Sequence, residues 1–214
     1  MSDPQGLKEE GKYEEALAAF SRMVSEGERS VLADMGDCLA NLGRLDEAAA
    51  SYQDALREDE GDPKALVGLG VVSLMQGKQV KAVTWFNRAL KADPDNARAF
   101  CGLGMVRNMQ GKPVDAFSCF ARALDADREN LTALHELVKL AYATERFEEA
   151  LPRLAGYLMY HPADLDMLYT LAGVQFKAGR HDEALESIEK VLLFAPGYEG
   201  GRELSERIQE SMAA

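Results

Sequence analysis

Apolar residues along this chain recur at i, i+3, i+4 and i+7, the spacing that lines one face of an α-helix. They do so in short stretches that come in pairs. In one pair the spacing predicts a first helix over about Pro63–Gln76 and a second over about Gln79–Ala92. Gly77 lies between them, where a residue free to turn left-handed ends a helix. The stretch "DPDN" at Asp93–Asn96 then marks the turn into the next pair.

The pairs are copies of one unit. "GLGVVSLMQGKQVKA" at Gly68–Ala82 and "GLGMVRNMQGKPVDA" at Gly102–Ala116 lie 34 residues apart and share ten of fifteen positions. A small residue recurs at Ala16, Ala48, Ala82, Ala116, Ala150 and Ala184, spaced 32 and then 34 throughout. Four residues after each stands a large apolar one: Phe20, Tyr52, Phe86, Phe120, Leu154 and Ile188. Upstream lie Met35-Gly36, Leu69-Gly70, Leu103-Gly104, Leu137-Val138 and Leu171-Ala172. Glycine punctuates most copies, at Gly11, Gly43, Gly77, Gly111 and Gly179. Acidic pairs such as Glu14-Glu15, Asp46-Glu47, Glu148-Glu149 and Asp182-Glu183 open the second helix, where they meet the positive end of its dipole.

The units divide the chain into a truncated copy at 1–28, full copies at 29–62, 63–96, 97–130, 131–164 and 165–198, and a C-terminal capping helix at 199–214. Together they form one domain. In the first copy, Asp3-Pro4 reads as an N-cap followed by proline at the first helical position. The fifth copy carries Glu145 where others have glycine, and Pro152 inside its second helix should bend or weaken it. Leu204, Ile208 and Met212 make one apolar stripe on the capping helix. The N-terminus has no such cap, so Leu7, Tyr13, Leu17 and Phe20 are expected to be under-covered and to offer a self-association end.

The Leu-Gly pair, the Ala-x3-Phe spacing and the late prolines Pro94, Pro162 and Pro196 resemble the 34-residue tetratricopeptide repeat (TPR) over essentially the whole chain. The resemblance implies an all-α fold, a right-handed α-solenoid of helix-turn-helix units. The first (A) helices would line a concave groove and the second (B) helices would face outward.

Charge narrows the partners. The chain carries net −12, which argues against nucleic acid and anionic membranes, both of which need clustered Lys and Arg. Residues 1–62 hold net −10, residues 63–130 net +4 and residues 131–214 net −6, so the duplicated centre is the only cationic block. Cys38, Cys101 and Cys119 lack metal or redox spacing and suit a reducing, cytoplasmic setting. No signal core and no spanning run of apolar residues is present.

Catalytic chemistry is not expected. His135, His161 and His181 are scattered, there is no phosphate loop or nucleophile elbow, and the carboxylate pairs sit at helix starts. No cofactor or metal is implied.

Binding is the expected role, and the resemblance assigns its groove to A-helix residues. Val67, Val71, Leu74, Met75, Cys101, Met105 and Met109 would form an apolar centre, with Gly68 and Gly102 deepening it. Lys64 and Arg98 flank that patch and could each hold a carboxylate. Asn108 lies beyond them, and His135, Lys139, Tyr142 and Tyr169 extend the surface C-terminally. Asp34 and Asp37 make the N-terminal end acidic. The bland alternative is ordinary packing of these columns. The carboxylate-clamp co-chaperones of the family use Lys, Asn and Arg where this chain has Ala33 and Asp37, Gly68, and Arg98 with Gly102, so only Arg98 could serve. The expectation is therefore a non-enzymatic scaffold holding an apolar or amphipathic protein segment. The alternatives are a self-assembling scaffold of a bacterial organelle or a secretion- or pilus-type complex, and a chaperone for an apolar exported protein. The scaffold reading includes homo-oligomers but no direct membrane insertion.

Overall fold

A computed structural model describes residues 3–213, which hold thirteen α-helices, one 3-10 turn and no strand. The helices are α1 (Pro4–Glu9), α2 (Tyr13–Ser25), α3 (Leu32–Asn41), α4 (Leu45–Glu58), α5 (Pro63–Met75), α6 (Gln79–Ala92) and α7 (Ala97–Met109). They continue as α8 (Pro113–Ala126), α9 (Leu131–Thr144), α10 (Phe147–Leu158), α11 (Leu165–Lys177), α12 (His181–Phe194) and α13 (Gly201–Ala213). Two compact units divide at Gln110/Gly111, so α1–α7 belong to the first and α8–α13 to the second. No helix among the described residues is long and apolar enough to cross a membrane.

Two devices start the helices. Most A helices are capped by a short polar side chain: Asp3, Asp62, Asn96, Asn130 and Asp164 accept from backbone N–H groups of the first turn. The B helices have no side-chain cap. Several carry two acids in the first turn instead, at Glu14-Glu15, Asp46-Glu47, Glu148-Glu149 and Asp182-Glu183. Between paired helices the glycines turn left-handed, with φ from 69 to 78° at Gly11, Gly43, Gly77, Gly111 and Gly179.

Glu145 departs from that column in sequence but not in backbone, since it takes φ 56°. An L side chain there costs free energy that glycine avoids. Glu145→Gly is therefore expected to stabilise the protein by about 0.5–1 kcal/mol, read as a rise in urea midpoint at constant slope. An unchanged or lower midpoint would show that the Glu145 side chain contributes more than its backbone strain costs.

In the first unit the core is built around aromatic rings seated on glycine. Tyr52 of α4 lies between Gly36 of α3 and Gly68 of α5, where added Cβ atoms would come within 2.6 and 2.3 Å of its ring. Phe86 of α6 repeats the arrangement between Gly70 of α5 and Gly102 of α7, at 2.4 and 2.3 Å. Gly68 and Gly102 thus serve packing, each covered by a ring, while Gly68 also borders a small cavity beside Tyr52.

The N-terminal expectation is also corrected. Leu17 and Phe20 are buried in the core, and Leu7 and Tyr13 pack against the same cluster half-buried. Short as it is, α1 covers α2. At the other end Leu204 and Ile208 of α13 are buried, while Met212 stays exposed. Pro152 is accommodated within α10, which runs unbroken to Leu158.

Candidate binding groove

In the first unit, Asp62 caps α5 and so places Lys64 in its first turn. From there Lys64 Nζ is paired with the Asp34 carboxylate and lies 3.7 Å from Asp37, both on α3. Lys8 of α1 reaches the same two acids from the other side, at 2.5 Å from Asp34 and 3.1 Å from Asp37. The Tyr52 hydroxyl donates to Asp37 at 2.7 Å. Two ammonium groups therefore neutralise two carboxylates, and the acidic end expected from composition is internally balanced.

The electrostatics follow from that packing. Burial alone would raise the Asp34 pKa, but hydrogen bonds from Lys64 and Lys8 hold it below the usual carboxylate value. Burial likewise opposes the charge on Lys8, yet Asp34 and Asp37 keep its pKa above the ordinary lysine value. Burial and the neighbouring Asp37 push the Tyr52 hydroxyl far up, so it remains a donor. Neither Lys8 nor Tyr52 stood out as a site residue in the sequence. The available signal was a tyrosine in a column otherwise held by apolar residues, since a buried hydroxyl requires a polar partner.

The remaining candidates separate by burial. Val67 and Cys101 are 1% and 7% exposed and belong to the core. Val71 and Met105 are half-buried, and Met75, Met109, Arg98 and Asn108 are exposed. Val71 and Arg98 border a cavity of about 240 Å³, together with Lys8, Asp37, Asn41 and Tyr52. Positions 71 and 75 on α5, and 105 and 109 on α7, are i,i+4 pairs, so each pair shares a helix face.

In the second unit His135 and Lys139 line a cavity of about 400 Å³ with Thr132, Val138 and Thr170. Lys139 is exposed and paired with Glu136 at 2.6 Å. Tyr142 packs edge-on against Phe147 at 5.3 Å, and its hydroxyl fills the space over Gly173. Tyr169 packs on Tyr198 at 5.2 Å, and Tyr198 in turn donates to Asp166 at 2.6 Å. Among the described residues no group of three or more His, Cys, Asp or Glu could hold a metal ion.

Family models described as tetratricopeptide repeat match residues 6–63, 33–97 and 86–130, and a second such model matches 141–204. No curated protein matches the sequence. Among solved structures, YrrB, described as a TPR protein with an unusual peptide-binding site, aligns at 22% identity and TM-score 0.57, over 90% of this chain and 98% of that one. MamA aligns at 20% identity and TM-score 0.57, over 80% and 95%. The pilF protein of Pseudomonas aeruginosa aligns at 17% and TM-score 0.66, over 97% and 94%.

Proposed function

This chain belongs to the tetratricopeptide repeat family, whose fold is generally a protein–protein interaction scaffold, and on that premise we propose that it is a non-enzymatic scaffold holding a partner segment along its A helices. The segment is apolar at its centre, an amphipathic helix or an extended peptide. One observation carries this reading. Met75 and Met109 are exposed, and Val71 and Met105 half-exposed, along the same faces of α5 and α7, although the surrounding core is already filled by Tyr52 and Phe86. Packing does not consume these four side chains. Methionine in particular adapts its shape to varied apolar ligands.

The polar surroundings set the orientation. Lys64 is committed to Asp34 and Asp37, so it is not the group that holds a partner carboxylate. Arg98, exposed at the edge of the Val71 cavity, takes that part. The description of the similarly folded YrrB as carrying a peptide-binding site supports this reading.

The test uses the full-length chain as bait in extract of its native cell. Val71→Glu and Met105→Glu are each expected to lose a protein that the unaltered chain recovers, with helicity by circular dichroism unchanged. A charge in an apolar contact goes unpaired and desolvated, which weakens capture at least tenfold. Equal recovery by both variants would rule out the groove.

A further inference from the structure

The second unit carries an apolar edge that neither its own core nor the groove uses. Met159 and Tyr160, just past α10, are 73% and 61% exposed, and Leu193 and Phe194, at the end of α12, are 76% and 72% exposed. The two pairs occupy the same position one 34-residue repeat apart. In this unit, side chains 28 to 32 residues apart meet across neighbouring repeats, as in Arg153–Asp125, His161–Glu129 and Arg180–Glu148. By the same offset Leu193 and Phe194 are placed at the same end of the unit as Met159 and Tyr160, one repeat further along.

At the same end of the helices lies a cleft of about 680 Å³ between α8 and α10. Leu124, Pro152, Ala155 and Gly156 wall it, Met159 closes one side, and Arg128 rims it together with the Arg153–Asp125 pair. Its wall has room, since a Cβ on Gly156 would meet only the Arg128 Cδ, at 3.8 Å. The volume falls in the range that accepts a small ligand, which is ample for two side chains.

We propose that this edge is a self-association surface, in which two copies of the chain pair about a two-fold axis and Leu193 and Phe194 of each enter the α8–α10 cleft of the other. Three features select a second copy as the occupant. The projecting pair and the cleft that fits it lie on one edge of one unit, so a single two-fold operation satisfies both contacts at once. The four side chains expose ~500 Å² of apolar surface, at the upper end of what a monomer presents. Doubling that and adding the cleft walls comes to about 1,200 Å², the lower end of a stable interface. Charge also matches. Glu189 lies one turn before Leu193 on the same face of α12, and Arg128 rims the cleft. Neither makes an ion pair among the described residues, and the two-fold brings them together between copies.

Light scattering on the full-length chain across micromolar concentrations is expected to give twice the 23.5 kDa chain mass. Phe194→Glu acts on an exposed side chain and Gly156→Leu plugs the cleft while favouring the helix, so both are expected to fold and to run as monomers. Glu189→Arg is expected to weaken pairing about tenfold, and adding Arg128→Glu to the same chain to restore it. The proposal is overturned by a monomer at every concentration, by variants that keep the wild-type mass, or by assemblies that grow beyond two copies.

Discussion

Phe86→Ala is expected to destabilise the first unit by about 3–5 kcal/mol, the range for removing a fully buried aromatic side chain. Phe86 is 0% exposed, and its ring fills the space left by two glycines on successive A helices, Gly70 and Gly102. Truncation removes the transfer free energy of the ring and leaves a cavity that backbone on both sides keeps open. The complementary change tests the same seat from its wall. A Cβ on Gly102 would lie 2.3 Å from Phe86 Cζ, so Gly102→Ala is expected to cost about 1–3 kcal/mol, even though alanine is the better helix former. In the Phe86→Ala background the same change meets no ring, and it is expected to become neutral or stabilising. Urea unfolding of the four chains measures this directly; additive costs would show that the two positions do not share one packing site.

Asp34→Ala is expected to cost about 1–3 kcal/mol at neutral pH, because it leaves Lys8 and Lys64 converging on Asp37 alone. The figure is lower than for a fully buried pair because the Lys64 side chain is 35% exposed and partly solvated. A pH series separates this from lost packing. The Asp34 pKa is depressed in the folded chain, so its contribution is present above the unfolded carboxylate value of about 3.9 and is lost as the pH falls through the folded value. The gap between the two chains is therefore widest near pH 7 and closes in acid. A gap that stays constant across the series would mean that the carboxylate charge has no part in stability.

Much of the fold was legible in the residue order. The helix read over Pro63–Gln76 is Pro63–Met75, and the one read over Gln79–Ala92 has those bounds. The first is set by local rules, a 3.6-residue apolar period opened by a capping aspartate and closed by a left-handed glycine, and the second by the same period without a side-chain cap. Glu145 shows where such rules give way. It stands where other copies have glycine, yet the backbone keeps the same left-handed conformation, at φ 56°. The groove was less legible, since exposure is a property of neighbours distant in sequence. Val67 and Val71 are both apolar residues on one helix, and only the fold decides that the first is core and the second reaches a cavity.

The sequence by itself determined the helices, their pairing, their repeat length and the family, because each depends on contacts within about one turn or on a fixed offset along the chain. Tertiary structure alone decided what the exceptional residues do. Gly68 and Gly102 became seats for Tyr52 and Phe86, and Lys64 was drawn into a pair with Asp34. It also left Leu193 and Phe194 uncovered and an open cleft between α8 and α10. Burial and charge pairing are set by side chains tens of residues away, and a one-dimensional pattern carries no distance between them.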